Sequence, residues 1–173
     1  MCLYNIQGGF AISYIIIDGY NLIGIYHKDL KKQREMLIDS LIEYRKKKGH
    51  DITVVFDGWK TGEAQENHSV IGRVKVIYSR IGEKADSVIK RIISYDRCGW
   101  IVVTSDRDIA DHAWASGSIP VSAEDFINAI ERESPSHFDE KENDEEYSEP
   151  QRKGNPRKLS KKEKAISRAL SKL

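Results

Sequence analysis

Three short apolar segments of the sequence end in aspartate. YIIID ends at Asp18, TVVFD at Asp57 and IVVTSD at Asp106, and a further aspartate, Asp86, follows the loop SRIGEKA. Carboxylates with no cysteine or histidine beside them are hard oxygen ligands, which favour Mg²⁺ or Mn²⁺. Such ions can activate water and stabilise the leaving oxygen of a phosphodiester. The residue types therefore indicate a divalent-metal site suited to phosphate chemistry, if the aspartates meet.

The segments that carry these aspartates alternate with helical ones. Continuous β-branched runs at Tyr14–Asp18, 51–57 and 100–106 predict strands buried on both faces. The amphipathic segment Leu30–Lys48 predicts a helix that ends at Gly49. This alternation predicts an α/β fold, with one mainly parallel sheet and helices on both faces.

The remaining elements are predicted from weaker patterns. Residues 58–72 have the glycines and polar side chains of a loop, and 73–79 alternate like a more exposed strand. Ser122 is expected to cap a closing helix, with Asp125 as its partner in the first turn. Ligands of parallel sheets bind beyond the carboxyl ends of the strands. We therefore expect the aspartates to lie together at that edge.

Each aspartate also has a purely structural explanation. Asp18 and Asp57 are each followed by glycine, a pair common in turns. Asp86 and Asp108 could stabilise helix N-termini by a few tenths to about 1 kcal/mol. Four or five carboxylates on one edge would, however, repel one another strongly without a cation. Taken together they favour a metal site, while Asp57 fits either role equally well.

Four segments carry a family resemblance. IIIDGYNLIG, VVFDG, GEKADSVIKRI and VVTSDRDI, in this order, resemble the YacP-like group of NYN domains in the PIN-like superfamily. The resemblance covers about residues 14–132. It implies a single PIN-like domain and a Mg²⁺- or Mn²⁺-dependent endoribonuclease. Known relatives act on messenger RNA at the ribosome, so RNA and the ribosome are the partners that the resemblance implies.

The resemblance also implies roles for individual residues. The metal-binding and catalytic aspartates of the family fall on Asp18, Asp86 and Asp106, and Asp57 closes the second strand as a further candidate metal ligand. Three residues are implied as secondary or orienting groups: Asn21, Glu83 and Asp108. Asn21 belongs to DGYN and Glu83 to the E-x-A-D element.

Basic and aromatic residues near the predicted edge could contact RNA. The candidates are Lys60, Arg73, Lys84, Arg107 and Trp59. The four cations could hold the phosphates on either side of the cut. Trp59 could stack on an unpaired base, as in single-strand readers, or could pack inside the domain. Trp114 is expected on the inward side of its helix.

Charge divides the chain into four regions. Residues 1–12 are expected to be a loose leader and 13–132 the nuclease-like domain. Residues 133–149 are densely acidic and predict a disordered spacer. Residues 150–173 carry nine basic side chains and one acidic one. This segment is expected to be a flexible tail that could become helical when it binds RNA phosphates. A solubilising tail and binding to a membrane surface are the alternatives.

Several classes of function are disfavoured. The five histidines and two cysteines lack the spacing of a zinc site, and two unpaired thiols suit a reducing compartment. No apolar run approaches the roughly 20 residues of a membrane span, so a cytoplasmic location is expected. No glycine-rich phosphate loop is present, so a dinucleotide cofactor is not expected. Tyr20 stands where a haloacid-dehalogenase phosphatase would have its second aspartate, and a Toprim domain would have glutamate at Asp18.

Two alternatives to an independent nuclease remain open. A non-catalytic RNA- or ribosome-binding module could keep the acidic edge for structural reasons. A toxin-like nuclease controlled by a partner would show the same aspartates.

Overall fold

The computed structural model describes residues 13–24, 29–58, 65–96, 98–133 and 159–173. The strands are β1 (Tyr14–Asp18), β2 (Asp51–Phe56), β3 (Asn67–Ile71), β4 (Val74–Tyr78), β5 (Ile101–Val103) and β6 (Ile119–Val121). The helices are α1 (Gly19–Ile23), α2 (Leu30–Lys48), α3 (Ala85–Tyr95), α4 (Arg107–Ala115), α5 (Ala123–Glu133) and α6 (Lys161–Leu170).

The six strands form one sheet in the order β3-β4-β2-β1-β5-β6. All neighbouring pairs are parallel except β3 and β4, which form an antiparallel hairpin. The chain passes from β1 to β2 and β4 on one side, then returns through α3 to β5 on the other side of β1. Strand order therefore reverses between β1 and β5, the place where parallel sheets bind ligands.

Two hydrophobic clusters cover the two faces of the sheet. Ile15 and Ile17 of β1 pack with α2, α5 and α6, whereas Ile16 packs with α3 and α4. This division follows from the alternation of side chains along a strand. The α/β fold with helices on both faces is confirmed.

The longest helix has the predicted bounds. α2 spans Leu30–Lys48, and Gly49 ends it in a left-handed conformation (φ 73°) with its N–H bonded to Arg45 O at 2.8 Å. The predicted cap of the closing helix is also present, because Ser122 Oγ accepts a hydrogen bond from Asp125 N at 3.1 Å.

Two elements differ from the sequence prediction. β3 lies inside the segment that was predicted as a loop. It is an edge strand that leaves Val70 and Ile71 exposed, so its side chains do not show a buried pattern. α1 has only five residues, too few to show helical periodicity.

The C-terminal segment is the largest difference. Residues 161–170, predicted as part of a flexible tail, form a helix that packs on the domain. Ser160 and Glu163 make a capping box, and Ala169 and Leu173 are buried in the cluster on the α2 face. Tyr44 Oη donates to Leu173 O at 2.7 Å. Residues 1–12, 134–149 and 150–158 lie outside the described residues.

Removal of the Tyr44 hydroxyl should measure how firmly this segment is held. Tyr44→Phe loses a buried hydrogen bond to Leu173 O, so we expect the free energy of unfolding to fall by about 0.5–1.5 kcal/mol in urea titrations. Tyr95→Phe is the control, because Tyr95 is 89% exposed. An equal effect of both substitutions would contradict the docking of the segment.

The covalent state of Cys98 differs from the sequence prediction. Cys98 is disulfide-bonded, and no described cysteine is free, so the expectation of unpaired thiols is wrong for Cys98. The cysteine count alone could not decide this.

No described helix is both long and apolar enough to cross a membrane.

Candidate active site

Asp18 occupies the carboxyl end of the central strand β1. It is 9% exposed, and its Oδ1 accepts a hydrogen bond from Asn21 N at 3.2 Å, which caps α1. A Cβ on the following residue, Gly19, would lie 2.2 Å from Cε1 of the buried Phe56 ring. Glycine is therefore required beside the aspartate, and the Asp-Gly pair serves packing as well as chain reversal.

Asp57 joins the end of β2 to the start of α3. Its Oδ1 accepts a hydrogen bond from Ala85 N at 2.6 Å. Gly58 approaches the backbone so closely that a Cβ would lie 1.5 Å from Ser79 O, and Gly58 N donates to Ser79 Oγ at 3.0 Å. Asp57 therefore fixes the helix end that carries Asp86.

Asp106 lies in the loop after β5 and caps α4. Its Oδ1 accepts hydrogen bonds from Asp108 N at 2.7 Å and Ile109 N at 3.3 Å. The same loop is held from α1, since Asn21 Oδ1 accepts a hydrogen bond from Ser105 N at 2.9 Å. Asn21 thus acts on the position of Asp106 through the backbone, which fits the orienting role predicted for it.

Three other aspartates lie close enough to Asp18 to change its pKa. Burial raises the pKa of the Asp18 carboxyl to about 6, against the opposing effect of the hydrogen bond from Asn21 N. The negative charges of Asp86, Asp57 and Asp106 raise this pKa further. Asp86 is partly buried in the first turn of α3. Aspartates from four separate places in the sequence therefore converge at the point where strand order reverses.

The donor set suits a hard divalent cation. In the part of the chain that the structure describes, no three carboxylate, imidazole or thiol groups are arranged to hold a metal ion. Mg²⁺ does not need such a set, because it is usually bound through one or two carboxylates, waters and substrate phosphates. A buried carboxylate whose pKa is raised by three others is an unfavourable arrangement that a cation would relieve. The residues therefore fit Mg²⁺ or Mn²⁺.

Two predicted secondary residues make ion pairs with basic side chains. Asp108 is 79% exposed and pairs with Lys90 of α3. Glu83 binds Arg91 Nη1 at 2.7 Å and Arg80 Nε at 3.2 Å. The pairs with Lys90 and Arg91 hold α3, the helix that carries Asp86. The secondary role of Asp108 and Glu83 in the site stays a prediction.

The candidate RNA contacts divide into three groups. Lys84 and Arg107 are exposed at the starts of α3 and α4, beside the aspartates as predicted. Arg73 lies in the turn that leads into β4, at the edge where the parallel strands begin. Its predicted place beside the acidic edge is therefore wrong, because β4 runs parallel to β2 and Arg73 precedes its first residue, at the edge opposite the carboxyl ends of the strands. Lys60 and Trp59 lie outside the described residues.

Small hydroxyl residues support the site, and sequence reasoning missed them. Ser79 is fully buried, and its Oγ donates to Glu83 O at 2.6 Å. Thr104 Oγ1 accepts a hydrogen bond from Asp106 N at 3.1 Å. Their only signal in the sequence is a serine or threonine directly after a buried strand, which is too common to single out a site.

The fold and the converging aspartates agree with one class of protein. Residues 15–172 match the YacP-like NYN domain. The chain therefore belongs to the YacP-like NYN domain family, whose members are generally nucleases. The matched region includes α6.

Particular relatives come from Bacillus subtilis. YacP of strain 168, named an uncharacterized protein, is 30% identical over 130 residues, which are 68% of this chain and 74% of YacP. The crystal structure of Rae1 (YacP) from Bacillus subtilis is similar with a TM-score of 0.56 and 27% identity, covering 70% of this chain and 75% of Rae1. A tryptophan-to-leucine mutant of Rae1 gives a TM-score of 0.58 at 27% identity, over 70% and 76% of the two chains.

Proposed function

We propose that this protein is a metal-dependent endoribonuclease that hydrolyses RNA phosphodiester bonds with Mg²⁺ or Mn²⁺. The observation that carries the proposal is the buried Asp18, whose pKa is about 6 because burial and three neighbouring aspartates oppose its ionisation. Such strongly perturbed groups concentrate at functional sites. Membership of a family of nucleases favours catalysis over a purely structural cluster.

The aspartates have separate tasks in this proposal. Asp18, Asp86 and Asp106 would hold the metal, and Asp57 would keep Asp86 in place through its bond to Ala85 N. When bound, the metal would lower the pKa of water and offset the charge that develops on the phosphate oxygens.

The other residues of the edge would bind and orient the RNA. Lys84 and Arg107 are exposed beside the aspartates, at the starts of α3 and α4, and would bind the phosphates that flank the cut. Both also lie at helix N-termini, whose partial positive charge favours phosphate. Asn21 would keep the Asp106 loop fixed while RNA enters.

The direct test is cleavage by the purified wild-type protein. We expect a labelled single-stranded RNA to be cut internally when Mg²⁺ or Mn²⁺ is added, and to remain intact in EDTA. The reaction should be repeated with ribosomes, since we extend the proposal to messenger RNA on the ribosome. A protein that binds RNA but never cuts it under any of these conditions would instead be a binding module with the same fold.

A further inference from the structure

Basic side chains gather at the edge of the sheet opposite the aspartates. We call this surface the basic end, and its members are Arg45, Lys46, Lys47, Lys48, Arg73, Lys161, Lys162, Lys164, Arg168 and Lys172. They come from three parts of the chain, and only the fold brings them together.

The last turn of α2 and the β3–β4 turn form one side of the basic end. α2 is followed by β2, so its last residues lie where the strands begin, and Arg45 Nη2 is 3.6 Å from Asp51 Oδ1. A Cβ on Gly72 would lie 2.6 Å from Ile42 Cδ1. The turn that carries Arg73 therefore lies against α2, about one turn before Arg45.

α6 forms the other side and crosses the same edge. Lys162 Nζ lies 5.4 Å from the centre of the Trp114 ring, at the end of α4. At the other end, Lys172 O lies 2.9 Å from Nε2 of His50, which precedes β2. Ten helical residues span about 15 Å, close to the roughly 14 Å from β6 to β2 across three strand spacings.

The basic end has a strong positive charge. Residues 43–51, 72–73 and 159–173 contain ten basic and three acidic side chains, a net charge of +7. Burial lowers the pKa of His50 against the opposing effect of the hydrogen bond to Lys172 O, and the charges of Lys48 and Lys172 lower it further, so the two helix ends act on one point. The α2 dipole accounts for cations at the end of that helix. It does not account for α6, whose basic side chains are exposed along its length.

We propose that the basic end binds the phosphate backbone of RNA at a distance from the bond that is cut. The proposal rests on the RNA-cleaving function, because that function brings RNA to this protein. A five-residue strand spans roughly 16 Å, so the RNA here is either a distant part of the cut strand or a second RNA. Clustered lysine and arginine side chains bind such a backbone without reading its bases.

The test compares charge removal at the two ends of α2 and on α6. Two double variants act on the basic end: Lys46→Gln with Lys47→Gln, and Lys164→Gln with Arg168→Gln. The control is Lys31→Gln with Lys32→Gln, which removes two exposed charges from the first turn of the same α2 helix. Glutamine keeps helix propensity close to that of lysine and arginine.

Binding is measured in EDTA, where no metal-dependent cutting occurs, over about 50 to 200 mM salt. With a single strand of about 20 nucleotides, each basic-end variant should flatten the slope of log affinity against log salt by up to about 1.4, at 0.7 per phosphate contact. A strand of about 5 nucleotides offers fewer phosphates to the basic end, so both basic-end variants should change its salt slope less. If the ligand is instead a second, double-stranded RNA, the basic-end variants should lose affinity for duplex RNA and not for the long single strand.

Three outcomes would overturn the proposal. The first is wild-type affinity and salt slope in both basic-end variants with long and duplex RNA. The second is an equal loss in the control variant, which would show an effect that is not specific to the basic end. The third is that the basic-end variants lose binding of labelled polyglutamate but not of RNA, which would make an acidic polypeptide the ligand of this surface. Since binding in EDTA is independent of cutting, failure of wild-type cleavage in Mn²⁺ would reject the nuclease function separately.

Discussion

Asp86→Asn should slow RNA cleavage by about 100-fold or more while leaving RNA binding near the wild-type level. Asp86 lies beside the buried Asp18, and a metal ligand contributes several kcal/mol of transition-state stabilisation. Each 1.4 kcal/mol lost is a factor of about ten in rate. The measurement is single-turnover cleavage of labelled RNA in Mg²⁺ and in Mn²⁺, with affinity measured in EDTA.

The matched control is Asp108→Asn. Asp86 and Asp108 are each the second residue of a helix at the same edge, so both substitutions remove the same favourable charge from a helix N-terminus. Asp108, however, is exposed and pairs with Lys90. We expect similar small losses of stability and a large loss of cleavage only for Asp86→Asn. Equal cleavage by the two variants would contradict the assignment of Asp86.

The convergence of the aspartates could be predicted because it depends on few facts about the fold. Asp18 and Asp57 follow buried strands with a continuous β-branched pattern, and parallel strands bring their carboxyl ends to one edge. The α2 helix could be predicted equally well, since its nineteen residues follow an amphipathic pattern and Gly49 ends it. These features are local in the sequence, or follow from a general rule of parallel sheets.

The division of labour among the aspartates could not be predicted. Asp57 accepts a hydrogen bond from Ala85 N, twenty-eight residues away, and Asp108 pairs with Lys90 on the preceding helix. Both interactions depend on how α3 and α4 pack on one face of the sheet, and no local sequence pattern predicts this packing. Arg73 is a different case, because the start of a predicted parallel strand already lies at the edge opposite the carboxyl ends.

The docked C-terminal segment shows how a small apolar face can be underestimated. The sequence offers few apolar residues there, and a short isolated helix is marginal. The structure adds the capping box of Ser160 and the bonds from Tyr44 and His50 to the last two residues. These partners are more than a hundred residues away in the sequence.

Asp18→Asn should make the metal-free protein more stable at pH 7. The pKa of Asp18 is about 6 in the folded protein against 3.8 for an ordinary aspartate. Between these values the unfolded chain loses its proton while the folded protein keeps it, so stability falls as pH rises and the loss is complete above pH 6. The cost is on the order of 1–3 kcal/mol. Asparagine avoids it and can still accept the hydrogen bond from Asn21 N, since it is an equally good helix cap.

The pH dependence and the metal response separate a metal ligand from a structural residue. In EDTA, urea titrations should show the advantage of Asp18→Asn at pH 7 and its disappearance near pH 4, where both folded proteins are uncharged at this position. Adding Mg²⁺ or Mn²⁺ should raise the melting temperature of the wild type by mass action, whereas the variant should not respond. If the variant is less stable than the wild type at pH 7 without metal, the Asp18 carboxylate holds the turn instead. The aspartates would then have converged for structure alone.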